Sequence, residues 1–563
     1  MKLENIPPRD PKYRRGKLKG RPIDLKALAE VQALLGDEPR RRDLLIEHLH
    51  KIQDHYGHIS AEHIVALARE MKLAATEVYE VATFYHHFDV IKEGDEAPPA
   101  LTVRVCDSLS CEMAGGGAQL IDKLKGILGP DVRVIPAPCV GRCETAPVAV
   151  VHQHPVLEAT TDKVQAAVSA GDTRCAVGEY VNYASYRKQG GYNIAAECLS
   201  GKRDAEAVIK EMENSGLRGL GGAGFPAGRK WRIVRAEPAP RLMAINIDEG
   251  EPGTFKDRYY LERDPHRFLE GALIAAWATQ VSEIYIYLRD EYAGCREILE
   301  RELKALQKNP PCPLPPIQLR RGAGAYICGE ESAMIESIEG KRGMPRLRPP
   351  YIAQIGLFGR PTLEHNMETL HWVRDILDKG ADWFASHGRH ERKGLRSFSV
   401  SGRVKKPGVH LAPAGITVRE LIDEYCGGML PGHEFYGYLP GGASGGILPA
   451  SLGDVPLDFD TLQPYGCFIG SAAVIILSQH DTASEAAGSM MRFFRHESCG
   501  QCTPCRVGTA KAVNLMAQRQ WDQGLLNELS GVMMDASICG LGQAAPNPTL
   551  SVMKYFPDEI KSG

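Results

Sequence analysis

The sequence predicts a multidomain protein, partly α/β and partly all-helical. Three observations carry that reading. At 563 residues the chain has room for about three to five domains. Short apolar strand runs alternate with helix-period runs over residues 101–151 and again over 242–377, the pattern of α/β units. Two cysteine groups, at 106–143 and 499–539, flank a glycine-rich stretch at 216–231.

Composition narrows the class. An apolar content of 43% permits large buried cores, and a net charge of −3 argues against nucleic acid or an anionic membrane as the main partner. No run of about 18 apolar residues is present, so no membrane span is expected. The N-terminus lacks an apolar export core, so a cytoplasmic location is expected. The 15 cysteines should then be reduced, and the clustered ones should be metal ligands.

The first 21 residues hold eight Lys or Arg and three prolines. They read as a solvated basic tail or as an arm for an acidic partner subunit. Helical spacing follows over Leu25–Leu35, Arg42–Tyr56, Ala61–Met71 and Ala75–Phe84, a small bundle. His55, His58, His63, His86 and His87 do not pair at i, i+4 on one helix, so they are expected at the surface or in caps rather than as metal ligands.

A strand Leu101–Cys106, a helix Gln119–Leu128 and strands Val132–Ile135 and Val148–Val151 come next. Cys106, Cys111, Cys139 and Cys143 stand where these strands end. Two close pairs of thiolates at one edge of an α/β unit suit a [2Fe–2S] cluster, with zinc as the alternative the spacing leaves open. Residues 171–214 read as a connector with one amphipathic helix, Ala205–Met212.

Gly216–Trp231 places six glycines in its first thirteen residues and adds Arg218, Arg229 and Lys230. Such a backbone approaches a ligand closely and turns amides toward phosphate oxygens. It formally fits G-x-G-x-x-G, but a helix precedes it and the strand Leu242–Ile247 follows, so the ordinary dinucleotide fingerprint is rejected. Four carboxylates (Asp248, Glu249, Glu251, Asp257) crowd the end of that strand. They would repel phosphate and suit ribose hydroxyls or a cationic nicotinamide ring. After a helix His266–Thr279 and a strand Glu283–Leu288, a second glycine segment, Arg321–Ser332, opens the helix Ser332–Ile338. Cys328 within it lacks a histidine partner and should be a packing residue. The basic loop Gly340–Tyr351 suits a second phosphate, and Thr362–Asn366 leads into a helix Glu368–Leu377.

Short β patterns (Ser397–Val404, Val409) and a helix Val418–Cys426 follow, and the loop Pro440–Gly446 is expected at the surface. From Ala483 the pattern is helical and carries Cys499-x2-Cys502-x2-Cys505, with Cys539 remote. Three cysteines on one loop plus a distant fourth is the usual ligand set of a [4Fe–4S] cube. Met490, Met491, Met533 and Met534 are expected to pack in the helical core. With about 24 residues beyond Cys539, no further ferredoxin domain is expected and electrons should leave through another polypeptide.

Cys-Asp-Ser-Leu-Ser-Cys and Cys-Val-Gly-Arg-Cys-Glu-Thr-Ala-Pro resemble the thioredoxin-like [2Fe–2S] subunit of respiratory complex I. The segments from 216 to 550 resemble its NADH-binding flavoprotein subunit and soluble relatives. Within that group the sequence is most similar to the fused diaphorase (β) subunit of soluble NAD-dependent molybdenum- or tungsten-containing formate dehydrogenases, on its Gly-Leu-Gly-Gly loop and Arg-Asp-Leu-Leu-Ile-Glu-His-Leu-His. The resemblance implies a basic disordered arm (1–25), a helical bundle (26–95), a thioredoxin-like [2Fe–2S] domain (96–172) and a connector (173–215). A Rossmann-like FMN/NAD domain (216–392), a ubiquitin-like SLBB domain (393–480) and a helical [4Fe–4S] domain (481–563) would follow. It implies FMN against Gly219, Gly221, Gly222, Lys230, Asn246, Asp248, Glu249, Tyr326, Gly329, Glu330, Asn366 and Thr369, and NAD(H) near Phe225, Glu251, Glu331, Arg348 and Tyr351. Leu220, Ile233, His365, Arg348 and Tyr351 depart from the common family residues at their positions.

A nicotinamide moves two electrons as hydride and an iron–sulfur cluster moves one, so a flavin between them makes chemical sense. No side chain is needed as acid or base; Phe225 and Glu251 would position the nicotinamide. The implied partner is a molybdopterin or tungstopterin formate dehydrogenase α subunit, in a heterodimer or a dimer of heterodimers. A diaphorase of an NAD-reducing hydrogenase or of complex I is the alternative. A non-catalytic iron–sulfur scaffold is the alternative of another class, against which Lys230, Glu251 and the pair Glu330–Glu331 speak.

Overall fold

The computed structural model describes residues 21–561, so most of the basic arm expected at 1–25 lies outside the described residues. The chain divides into two units: residues 21–83 with 88–98, and 84–87 with the rest. In the smaller unit Leu25–Leu35, Leu45–Tyr56 and Ala61–Met71 are helices, and Ala75–Phe84 begins there. Asp24 and Ser60 cap two of them by accepting from the amides of Ala27 and His63. His63 is buried and stacks on Tyr56 at 4.5 Å, so it is not the surface histidine that its spacing suggests.

The larger unit contains three sheets. The first runs Val132–Ala137, Leu101–Cys106, Ala149–Val151, His154–Val156, with the first pair parallel and the others antiparallel. Val103, Val105, Leu120, Leu124, Val134 and Val164 fill its core. Cys106 is the last residue of its strand, and Cys139 and Cys143 lie on the loop after the neighbouring strand.

The second sheet is all parallel, in the order Thr362–Asn366, Arg241–Ile247, Val281–Leu288, Ile317–Arg321. The helices His266–Thr279 and Ala227–Ala236 pack into the same core as these strands, which explains the unbroken apolar run 242–245 in place of an alternating one. An additional amphipathic helix, Ala293–Lys308, links two of its strands. The expected helix 368–377 is two helices, Met367–His371 and Val373–Lys379.

The connector holds three helices where one is expected: Tyr183–Lys188, Asn193–Leu199 and Ala205–Asn214. A buried carboxylate from far along the chain organises it. Glu270 accepts from the Tyr186 hydroxyl at 2.6 Å and from the amides of Tyr192 at 2.8 Å and Ala195 at 3.3 Å. Tyr192 in turn meets His266 at 2.8 Å, and His266 meets Glu302 at 2.9 Å.

The third sheet is mixed: Gly408–Pro413, Leu395–Gly402, Ala473–Ser478, Phe435–Leu439, Leu448–Pro449. Its helix starts at Val418 under a capping box of Thr417 and Glu420 and widens into a π-turn at Leu421–Tyr425. The C-terminal helices are Ala483–Glu497, Thr503–Met516, Gln523–Ala536, Gly540–Ala544 and Asn547–Tyr555. Met490, Met491 and Met533 are buried there as expected; Met534 is 42% exposed, on the outer face of its helix. Among the described residues no helix is long and apolar enough to cross a membrane.

Helix His266–Thr279 meets the helix Met367–His371 backbone to backbone at Gly271, where a Cβ would collide with the Leu370 carbonyl oxygen. Gly271→Val should therefore destabilise the protein by about 2–3 kcal/mol through forced separation of the two helices, read as a lowered thermal unfolding midpoint.

Candidate functional site

The parallel strands aim their C-terminal ends at one cavity of about 770 Å3, the position where open α/β sheets bind ligands. Asn246 and Asp248 lie at and just beyond the end of one strand, and Asn366 ends the next. The glycine loop forms one wall. Its Gly219 amide donates to the Phe225 carbonyl at 2.8 Å, and its Leu220 amide donates to Thr369 Oγ1 at 2.9 Å. A Cβ at Gly221 would reach the Asn366 side chain at 3.0 Å. Gly224 takes φ +67° with the Phe459 ring at 2.5 Å from where its Cβ would be. Space demands glycine at the first position, and space and backbone sign demand it at the second.

Lys230 reaches the cavity from the helix Ala227–Ala236. It is not a free cation: its Nζ donates to the Glu364 carboxylate at 3.0 Å and the Glu364 carbonyl at 2.9 Å. Burial pulls its ammonium down, but Glu364 and Glu331 more than offset this, so it is held charged. His365 also lines the cavity; its Nε2 accepts from the Trp231 indole at 2.8 Å. Burial and then the Lys230 charge keep that imidazole neutral.

The acidic loop splits into two kinds of carboxylate. Glu249 is structural as well as cavity-lining: it accepts from the amides of Asp257 at 2.8 Å and Arg258 at 3.2 Å and from the Tyr292 hydroxyl at 2.8 Å. Asp257 is tied to Lys256 at 2.8 Å, and Lys256 to Glu368 at 3.1 Å. Asp248 and Glu251 are oriented toward the cavity. Asp248 Oδ2 has no hydrogen-bond partner, and burial pushes its carboxyl well up. Glu251 accepts from the Ser444 amide at 2.9 Å and its hydroxyl, with Ser471 Oγ at 3.4 Å. Ser444 belongs to Pro440–Gly446, which is therefore not the surface loop expected: it is largely buried and braces Glu251. A Cβ at Gly441 would collide with the Phe468 carbonyl oxygen, so this loop owes its glycines to packing.

The four N-terminal cysteines are buried and unbridged. Cys139 Sγ and Cys143 Sγ stand 3.3 Å apart, and the Gly141 amide donates to Cys139 Sγ at 3.4 Å. Hydrogen bonds from Cys106 and Cys143, helped by the Arg289 charge, hold the Cys139 thiol well below its usual range. Arg289 also links this group to the cavity: it donates to the Cys139 carbonyl at 2.8 Å and to the Glu249 carbonyl. Converging thiols with no disulfide, an amide on sulfur and a buried cation fit an anionic [2Fe–2S] cluster.

Cys502 and Cys539 stand at the residues just before the helices Thr503–Met516 and Gly540–Ala544, so two helix N-termini start at this second cysteine group. Ser498 Oγ lies 3.3 Å from Cys505 Sγ, and burial raises Cys505 to about 11 and Cys539 to about 12. Gly540 and Leu541, next to Cys539, line the same cavity as the glycine loop. The Tyr326 amide donates to Glu497 Oε2 at 2.9 Å, and its ring packs on Phe493 at 5.0 Å. Cys328 is fully buried with its thiol pushed up by burial, in keeping with a packing role.

The comparisons with known proteins agree with this layout. Residues 31–171 match the thioredoxin-like [2Fe-2S] ferredoxin model and 212–375 the Nuo51 FMN-binding domain. Residues 397–448 match the SLBB domain and 485–563 the NADH-ubiquinone oxidoreductase-F iron-sulfur binding region. The mitochondrial NADH-ubiquinone oxidoreductase 51 kDa subunit of Neurospora crassa is 38% identical over 398 residues, 67% of this chain and 80% of the relative. The chain belongs to the family of that 51 kDa flavoprotein. The mitochondrial NADH dehydrogenase [ubiquinone] flavoprotein 1 of Dictyostelium discoideum is 40% identical over 373 residues, 63% of this chain and 78% of the relative. A solved NAD+-reducing [NiFe]-hydrogenase in the air-oxidized state has a chain that superposes with a TM-score of 0.81 at 29% identity, over 93% of this chain and 94% of that one. The protein is an NADH-binding FMN flavoprotein with one thioredoxin-like [2Fe–2S] and one [4Fe–4S] domain, as in that family.

The cavity gathers Gly219, Gly221, Gly222, Phe225, Lys230, Asn246, Asp248, Glu249, Glu251, Tyr326, Gly329, Glu330, Glu331, Arg348 and Asn366. Thr369 stands behind the glycine loop, and Tyr351 is 55% exposed and outside the lining. Sequence reasoning missed Ser444 and Ser471, which enter only through the meeting of distant segments, and also Lys256, hidden among the carboxylates of the acidic loop.

Burial, then the Asp257 charge, raises the Glu249 carboxyl from 4.5 to about 7. A raised carboxyl adds stability that is complete below the unfolded value and is lost as pH rises through the folded one. Against Glu249→Gln, the wild-type advantage should fall between pH about 4.5 and about 7 and level off above, measured as unfolding midpoints over a pH series.

Proposed function

We propose that this chain is the NAD(H)-side subunit of a cytoplasmic NAD+-dependent formate dehydrogenase, working in either direction between formate and CO2 with a molybdopterin or tungstopterin partner. The observation that carries the reading is the fusion of both cluster domains and the nucleotide cavity in one chain, with Cys106, Cys111, Cys139 and Cys143 all kept and converging. Fifteen cysteines with none of them bridged suit a reducing compartment. The likeness to a chain of an NAD+-reducing hydrogenase favours, as the second reading, the same module beside a nickel subunit.

FMN fits the cavity wall of Gly219, Gly221, Gly222, Asn246, Asp248, Glu249, Tyr326, Gly329, Glu330 and Asn366, with Thr369 fixing the loop behind and Lys230 as the cation for its phosphate. When bound, FMN exchanges a two-electron hydride for the one-electron steps of iron–sulfur clusters. NAD(H) would lie at Phe225, Glu251, Glu331 and Arg348, with Tyr351 near the mouth. Phe225 is 39% exposed, a face free for a nicotinamide ring. Glu251, gripped by two serines, cannot swing and so sets the ring's position. Cys106, Cys111, Cys139 and Cys143 would hold the [2Fe–2S] cluster, and Cys499, Cys502, Cys505 and Cys539 the [4Fe–4S] cluster.

Lys230→Glu sets a second carboxylate beside Glu364. It should abolish FMN binding while iron per chain stays unchanged; retained flavin would show the cradle is misplaced. For the whole reading, the native complex should contain a molybdopterin or tungstopterin subunit and reduce NAD+ with formate. A nickel subunit with hydrogen-dependent NAD+ reduction would overturn formate and leave the diaphorase reading standing. Absence of NADH–ferricyanide turnover would overturn both.

A further inference from the structure

We propose that His86, His496 and Glu497 form a binding site for a divalent transition-metal ion of the zinc class, separate from the cluster cysteines. The three come from opposite ends of the sequence, which is why spacing along the chain does not reveal them. Their ligand atoms all lie within 4.8 Å of one another. Two ligands of a tetrahedral zinc ion stand about 3.4 Å apart at the usual bond lengths of about 2.1 Å. His496 Nδ1 and Glu497 Oε1 are already 3.1 Å apart. The His86 and His496 ring centroids are 4.2 Å apart with the planes at 26°. Imidazoles so close need only a small opening to direct a nitrogen each at one ion.

The surroundings are those of a metal site. Glu497 is buried, and its second oxygen accepts from the Tyr326 amide at 2.9 Å, so one oxygen is held still and the other is turned to the histidines. His86 is fixed from its backbone: its amide donates to the Gly324 carbonyl at 3.2 Å, and the His87 amide to the Ala323 carbonyl at 3.1 Å. His87 itself is occupied by Asp290 at 2.7 Å, so it does not compete for the ion. Both ligand histidines face solvent, which gives the ion an entrance and water as the fourth ligand. Two imidazoles and a carboxylate favour zinc, copper or nickel over calcium or magnesium. A bound ion would clamp residues 84–87 to the last turn of the helix Ala483–Glu497.

The test uses the native holoenzyme, freed of loose metal by a mild chelator and dialysed against Zn2+, with zinc, iron and flavin measured per chain. One zinc ion should be retained at full iron and flavin content. His86→Ala and His496→Ala, both at exposed positions, should each weaken zinc binding by about tenfold or more and leave iron and flavin unchanged. Zn2+ should raise the unfolding midpoint of the wild type and not of these variants. The proposal is overturned if the wild type retains no zinc, if the variants retain as much, or if zinc enters only as iron is lost.

Discussion

Charge compensation in a dry interior governs this molecule. Lys256, Arg258 and Arg289 are almost wholly buried. Lys256 is paired with Asp257 and Glu368 of its own domain, whereas Arg258 and Arg289 also bind groups of the thioredoxin-like domain. Arg258 pairs with Glu144 and Glu262 and donates to the Gly141 carbonyl at 2.8 Å. Arg289 holds Glu291 at 2.8 Å and the carbonyls of Cys139 and Glu249. Removing one partner of such a pair costs about 3–5 kcal/mol, because the remaining charge is stranded. Lys256 and Arg289 offset the charge of the acid-rich loop at the cavity, and Arg289 also binds the [2Fe–2S] domain. Electrostatics and architecture thus meet at Arg289, which joins the Cys139 carbonyl to that of Glu249 at the cavity.

Much of this is readable from residue order. Helices such as Ala61–Met71 and His266–Thr279, and the strand Leu101–Cys106, follow directly from apolar period and flanking signals. The cysteine spacings and the glycine loop point to the chemistry because local sequence alone supplies those ligands. What stays hidden depends on long-range partners. The connector's helices Tyr183–Lys188 and Asn193–Leu199 have weak patterns of their own and rest on Glu270, which lies 84 residues beyond Tyr186. His86 meets His496 across nearly the whole chain. No local pattern encodes either pairing.

The loop Pro440–Gly446 shows how composition misleads. Glycine and serine in a row read as a solvated turn. Here the glycines permit backbone contact with Phe468 and Ile469, and the serine grips Glu251. The third sheet, which carries no cofactor cysteine, therefore shapes the nucleotide cavity from the side. Lys230 teaches the converse: its place beside a glycine loop suggests a bare anchor, yet Glu364 holds it in place and balances its charge.

The cavity has walls from widely separated parts of the chain: the glycine loop from Gly219, the brace at Ser444, and the turn at Gly540–Asn547 beside Cys539. On a ribosome these walls emerge one after another, and the last arrives only when the C-terminal helices do. A flavin meeting the nascent chain early finds half a pocket. With FMN placed here as proposed, the turn beside Cys539 is the last wall to form, and a chain whose distal cysteine segment stays unsettled should hold its flavin loosely.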